Sequence, residues 1–158
     1  MAEEARAIGI NWSFTPVIDI NATFRSAIVA TRRYGADVEV IERQTLTQIA
    51  EFQAAGVAAT VKQWPGEGFD DRDLHLVTTI NPLTMAAWEA NFGRDYRAAI
   101  GAGVMSVMSV MSAHIALPAY VLAATTDAGG EAYRPASVSR ALNIDLLRGE
   151  LGINRLLK

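Results

Sequence analysis

Four glycines set a rhythm along the chain. Gly9-Ile10, Gly56-Val57, Gly103-Val104 and Gly152-Ile153 each follow an alanine- or leucine-bearing helical stretch and precede an apolar run, at intervals of 47, 47 and 49 residues. A glycine that closes a helix in the left-handed conformation and leads straight into a buried strand is the helix-to-strand junction of an alternating fold. The runs that follow, "INWSFTPVI", "VAATVK", "VMSVMSVMSAHI" and an incipient "INRLLK", read as short buried strands. Strands that alternate with helices at this interval pair in parallel, in a doubly wound sheet or a barrel. The expected class is therefore α/β.

Helical patterns fill the intervals. Val38 to Ala55 brings Ile41, Leu46, Ile49 and Gln53 near one face, and Met85, Trp88, Phe92, Tyr96 and Ile100 advance by three or four residues to form an apolar stripe behind Thr84, an N-cap. Ser137, just after Pro135, opens "SVSRALNIDLLRGELG", in which Val138, Leu142 and Leu146 repeat every four residues until Gly152 stops the helix. Both stripes are read as core packing. The turns before the strands are little more than a glycine, whereas the connections after them, Ile20 to Asp37, Gln63 to Pro82 and Ala116 to Pro135, are long and rich in polar groups. Ligands of parallel α/β folds bind at the carboxyl ends of the strands, so this asymmetry marks the working face. "GEGFDDRD" does not supply the glycine pattern of a dinucleotide-binding turn.

With 158 residues, 51% of them apolar, the chain is long enough for one well-buried domain, read as spanning residues 1 to 158. A net charge of -3 with interspersed signs offers no basic stripe for a phosphate backbone, which disfavours nucleic acid as a partner. The absence of cysteine excludes disulfides and thiolate metal sites and fits a reducing compartment, so a cytoplasmic location is expected. "MAEEARAIG" is acidic and helical rather than a targeting segment, and no run reaches the roughly 18 apolar residues of a membrane span, so no membrane partner is expected.

Several residues on the working face can carry chemistry. Lys62 ends a strand, where its ammonium either meets a ligand or simply points to water. Pro65, between an aromatic residue and a glycine, makes a sharp turn that can host a cis peptide. Asp73 and His75 fall on the same side if their segment is extended, an arrangement in which the carboxylate orients the imidazole for proton transfer; the alternative is a solvated acidic loop with a histidine nearby. Glu67, Asp70, Asp71, Asp73 and His75 are crowded, yet no second histidine stands at ligand spacing, so no metal and no other cofactor is expected. Arg32, in "TRRYG", is either a clamp for a polar substrate or half of a surface pair. His114, near the end of the third strand, either lines the same mouth or is a satisfied core histidine. Asp19, ending "FTPVID", is equally open.

Taken together, the ordered segments "GINWSFTPVIDIN", "TRRYGAD", "AAGVAATVKQWPGEG", "DRDLH", "GVMSVMSAHIALP" and "PASVS…LLRGELG" resemble glycoside hydrolase family 3, especially its bacterial β-N-acetylglucosaminidase and β-glucosidase-like members. The resemblance implies a (β/α)8 catalytic barrel that cleaves a carbohydrate substrate with retention, through a covalent glycosyl-enzyme intermediate. It also implies that His75 is the general acid/base and Asp73 its orienting partner, and that Arg32, Lys62, Gln63 and His114 bind the sugar.

Three departures accompany it. Gln63 stands where the family has a histidine; it still hydrogen-bonds a hydroxyl but carries no proton charge. The repeated Met-Ser-Val triplet inserts three residues, which would reverse side-chain alternation along that strand and shift His114. Finally, the family's early acidic sugar-binding loop is expected ahead of Met1 and its nucleophilic aspartate after "ELGINRLLK". Four αβ units thus make a partial (β/α)8 barrel, lacking both ends. On this reading the chain alone hydrolyses little or nothing, and the exposed edges of a half-barrel drive a homodimer or higher assembly. A catalytically silent, self-associating or sugar-binding scaffold is the alternative, as is β-glucosidase-type specificity.

Overall fold

The computed structural model describes residues 1–26, 28–102, 108–124 and 129–153. The junction at Gly103-Val104, the first part of the Met-Ser-Val repeat and the segment from Asn154 to Lys158 lie outside the described residues. The other three glycines of the repeat have φ of +88° (Gly9), +74° (Gly56) and +77° (Gly152), the left-handed region that glycine enters without a Cβ penalty.

Helix α1 (Ala2–Ala7) runs through Gly9 into β1 (Trp12–Ser13). The chain after β1 stays beside the second strand, β2 (Ala58–Trp64): the carbonyls of Asn11, Thr15 and Pro16 accept from the amides of Ala58, Thr60 and Lys62, and the Ile18 amide donates to the Lys62 carbonyl. Pro16 has no amide to contribute, so regular pairing is confined to two residues and a bridge at Val17 and Lys62. The expected nine-residue strand is thus a paired segment interrupted by proline.

Helix α2 (Val38–Ala54) starts at Asp37, whose Oδ1 accepts from the amides of Glu39 at 2.9 Å and Val40 at 3.1 Å. Its buried face is Ile41, Thr45, Ile49 and Phe52. Leu46, expected on that face, is only half-buried because it stands five residues after Ile41, where a step of four, four and three keeps the stripe aligned; Gln53, also expected there, is half-buried and Phe52 takes its place.

Strand β2 is the centre of a parallel three-stranded sheet ordered β1-β2-β4, with β4 at Met108–Ser112. It is buried on both faces, as the middle strand of a parallel sheet must be. Ser109 and Val110, neighbours on β4, are also both fully buried, so alternation does not sort that strand into an inner and an outer face. A hydroxyl chain crosses all three strands: Trp12 Nε1 donates to Thr60 Oγ1 at 2.6 Å, and Thr60 Oγ1 meets Ser109 Oγ at 2.6 Å. The register between β2 and β4 slips between Val61 and Trp64. Beyond it, β3 (Thr79–Ile80) and β5 (Ile115–Ala116) form a second parallel pair that the sequence pattern does not announce.

The helical rod behind the sheet comprises α3 (Met85–Trp88), a wide π-type turn (Glu89–Gly93) and α4 (Arg94–Ala102). Thr84 caps it through the Ala87 amide at 3.3 Å. Its stripe buries Trp88, Phe92, Tyr96 and Ala99. Trp64 of β2 stands edge-on to Trp88 at 5.7 Å and to Tyr96 at 4.8 Å between ring centroids, pairs worth about 0.5–1.5 kcal/mol each beyond their burial. After α5 (Pro118–Ala124), the last described helix, Ala141–Glu150, buries Leu142, Leu146 and Leu147. Ser139, rather than Ser137, takes up the free Leu142 amide at 3.3 Å, and Val138 lies in a short 3-10 turn, 63% exposed instead of in the core. No helix among the described residues is long and apolar enough to cross a membrane.

Candidate active site

The loops after β1 and β2 close on one buried carboxylate. Asp19, fully buried, follows the apolar run Val17-Ile18. Its Oδ1 accepts from the Glu67 amide at 2.8 Å, and both its oxygens share the Gln63 amide at 3.1 and 3.2 Å. Burial pushes its carboxyl up to about 7, aided by the charge of Glu67; the two amides and the charge of Arg32 pull the other way. Glu67 is buried beside it, with Oε1 accepting from the Gly68 amide at 3.0 Å and Oε2 from Thr79 Oγ1 at 2.8 Å. Its carboxyl is likewise raised, chiefly by burial.

Gly66 and Gly68 shape this loop. Gly68 has φ +128°, and a Cβ there would stand 1.8 Å from the Ile20 carbonyl oxygen; one on Gly66 would enter the Phe92 ring at 2.4 Å. The Thr23 amide donates to the Gly68 carbonyl at 3.0 Å, joining the two loops. The Lys62-Gln63 and Trp64-Pro65 peptides are cis, the latter at the turn where the sequence allows it.

Three cations lie within electrostatic reach of Asp19. Lys62 is half-buried; burial and then Arg32 lower the affinity of its amine for a proton, while Asp19 raises it. Arg32 ends a 3-10 turn (Ala30–Arg32), is exposed, and donates from Nη2 to the Ile28 carbonyl. Arg33, its neighbour, is half-buried, with Nε and Nη1 enclosed and without a hydrogen-bond partner. The side-chain carbonyl of Gln63 is enclosed and unpartnered as well.

Asp73 and His75 meet through a turn, not an extended segment. Asp73 Oδ1 accepts from the His75 amide at 2.8 Å and lies 2.7 Å from His75 Nδ1, while the Asp73 carbonyl accepts from the amides of Leu76 and Val77. An aspartate that bonds its own backbone two residues on is a self-contained turn former. These bonds, the backbone one first, hold the Asp73 carboxyl below the usual range. A carboxylate on Nδ1 fixes that nitrogen as the donor and leaves Nε2 for a substrate. Leu74 between them is the anchor, buried against Val17, Ile28, Val29, Ala113 and Ile115.

His114 lies beyond β4, exposed, with Nδ1 3.2 Å from Ser137 Oγ. It shares with His75 a shallow pocket of about 200 Å³ lined also by Leu74, Leu76, Val77 and Thr78. The fold thus gathers the expected residues into two groups, Lys62, Gln63 and Arg32 around Asp19, and Asp73 and His75 with His114. Among the described residues no three His, Asp or Glu side chains stand together as a metal site. Asp19 and Glu67 are the site members that sequence reasoning left open or unassigned. The available signal was a carboxylate directly after an apolar strand, at its carboxyl end.

Parallel strands with an aspartate-held histidine in one carboxyl-end loop and cations gathered around a buried aspartate in others are an arrangement of the α/β barrel type. The chain belongs to glycosyl hydrolase family 3: the model of that family's N-terminal domain matches residues 1–156. It is 44% identical over 156 residues to a beta-N-acetylglucosaminidase/beta-glucosidase of Cellulomonas fimi, covering 99% of this chain and 27% of that protein. It is 34% identical over 152 residues to a beta-hexosaminidase of Stenotrophomonas maltophilia, covering 96% of this chain and 41% of that protein. Among solved structures it is similar to a beta-glucoside phosphorylase bound to 2FGlc (TM-score 0.92, 35% identity, 99% of this chain and 27% of that one). It is also similar to a family 3 beta-N-acetylglucosaminidase from Paenibacillus sp. (TM-score 0.86, 33% identity, 99% and 27%). The chain therefore spans between about a quarter and two fifths of the length of these relatives, and its parallel α/β arrangement is that of part of a family 3 barrel.

Proposed function

We propose that this chain forms part of the catalytic barrel of a retaining glycoside hydrolase acting on β-linked N-acetylglucosaminides. His75 is the general acid/base: its Nε2 protonates the leaving glycosidic oxygen and later deprotonates the attacking water, and Asp73 orients the ring. Arg32 and Lys62 bind sugar hydroxyls, with Gln63 and His114 at the edges of the same cleft. The retaining mechanism also needs a second carboxylate, as nucleophile, on the other side of the scissile bond. The supporting observation is the double hold of Asp73 on His75. The test is turnover of an aryl β-N-acetylglucosaminide by the chain and by a form extended to the length of its relatives, each beside His75→Ala. Turnover that survives the substitution in the active form sinks the assignment.

A second reading has phosphate as the acceptor. The likeness to a beta-glucoside phosphorylase supports it, and so does the chemistry of the acid/base: an imidazole, unlike a carboxylate, bears no negative charge of its own to repel an incoming phosphate anion. Sugar 1-phosphate formed in phosphate buffer, in place of free sugar, separates the two. An aryl β-glucoside turned over faster than the N-acetylated substrate identifies β-glucosidase-type specificity, which the name of the Cellulomonas relative also carries.

A further inference from the structure

We infer that Asp19 is the positioning residue of the sugar-facing cations, setting the loop that follows Lys62 and placing a buried carboxylate within electrostatic reach of its amine. This rests on the reading of Lys62 and Arg32 as sugar-binding groups.

Three observations converge on it. The backbone on both sides of Lys62 is tied to the segment carrying Asp19: the Lys62 amide donates to the Pro16 carbonyl, and in the peptide that follows the Lys62 carbonyl accepts from the Ile18 amide while the Gln63 amide donates to the Asp19 carboxylate. The same carboxylate receives the Glu67 amide, so one side chain fixes both ends of the Gln63 to Glu67 turn. Asp19 itself is enclosed and touches no solvent, so a substrate does not reach it; what it does, it does through others.

The charges around it are Glu67, Arg32, Arg33, Lys62 and the phenol of Tyr96. Burial and Arg32 both work against a proton on Lys62, and Asp19 is the counterweight. Without it the Lys62 amine would hold its proton less tightly, and an ammonium is the stronger donor to a sugar hydroxyl. Asp19 is thereby the electrostatic floor of the cleft rather than one of its walls.

The chain has only two lysines, Lys62 and Lys158, so reductive 13C-methylation labels these and the N-terminal amine alone, and the signal lost in Lys62→Arg assigns Lys62 by NMR. In Asp19→Asn, which keeps the shape and one acceptor oxygen but not the charge, Lys62 titrates at lower pH than in the wild type, and affinity for N-acetylglucosamine falls at least tenfold. A folded D19N in which either readout stays at the wild-type value overturns the inference. A wild-type chain that binds no sugar sinks the glycosidase reading instead, and the role of Asp19 is then judged on the Lys62 titration.

Should D19N fail to fold, the wild type carries the test. The Gln63 and Glu67 amide protons, both donated to Asp19, shift through one shared midpoint, and the Lys62 methyl signal steps at that midpoint. Amides that titrate apart, or a Lys62 signal that ignores them, overturn it.

Discussion

Asp73 Oδ1 holds His75 twice, by the backbone amide at 2.8 Å and by ring Nδ1 at 2.7 Å, so one atom shapes the turn and aims the imidazole. Removing the carboxylate releases both. In the form extended to the length of its relatives, Asp73→Ala is expected to slow turnover of an aryl β-N-acetylglucosaminide by roughly 10²- to 10⁴-fold, the usual range for a lost proton-transfer arrangement. His75→Ala should do at least as much, and the pair together little more than either alone. Rates of the two single variants and the double variant check this; additive losses would show that the two side chains act separately.

Gly68 cannot carry a side chain. Its φ of +128° and the 1.8 Å between its would-be Cβ and the Ile20 carbonyl oxygen leave nothing flexible to yield. Gly68→Ala is expected to destabilise the fold by more than about 2 kcal/mol, read as a fall in Tm of several degrees at this chain length. A change below one degree would mean that the two loops are not held together as described.

Asp95 sits on α4 with both carboxylate oxygens enclosed and without a hydrogen-bond partner. Burial pushes its carboxyl up to about 7, helped by Glu42 and opposed by Arg94. Because the folded state holds this proton more tightly than the unfolded one, stability falls as pH rises from near 4 to near 7. Asp95→Asn should reduce that loss by about 1 kcal/mol or more, so its Tm relative to wild type improves between pH 5 and pH 8. Thermal melts at the two pH values decide it; parallel curves would refute the assignment.

Thr79 donates to Glu67 Oε2 inside the loop cluster. Thr79→Val leaves that oxygen buried and unpaired, at a cost of about 1–3 kcal/mol. The threonine hydroxyl favours the charged carboxylate, so the loss should be larger at pH 8 than at pH 5. Urea unfolding of wild type and variant at both pH values measures it, and an equal loss at both would show that Glu67 does not change protonation state between them.

Much of the architecture is legible in residue order because backbone chemistry writes it there. Gly9, Gly56 and Gly152 mark helix-to-strand junctions with positive φ, and the Trp88, Phe92 and Tyr96 stripe follows helical spacing into the core. Asp73 and His75 were readable for a related reason, since a bond between near neighbours needs no long-range information. Their turn was not, because two residues apart is close on a strand and on a turn alike. What connects distant positions stays hidden in sequence: the embrace of Asp19 by Gln63 and Glu67, the pairing of β3 with β5, and the meeting of His75 with His114 across one pocket. Val138 misled by sharing a four-residue step with Leu142 and Leu146, although Ser139 starts the helix after it.

The contact of Gly68 with Ile20 reaches beyond stability. Two loops that leave different strands are pressed together until no atom fits between them, so neither can be lengthened or recontoured on its own. Under the proposed function, a change of glycan preference falls to side chains outside that contact, such as Phe24 and Leu76, which stand 86% and 82% exposed, while the joined loops move only as a single piece.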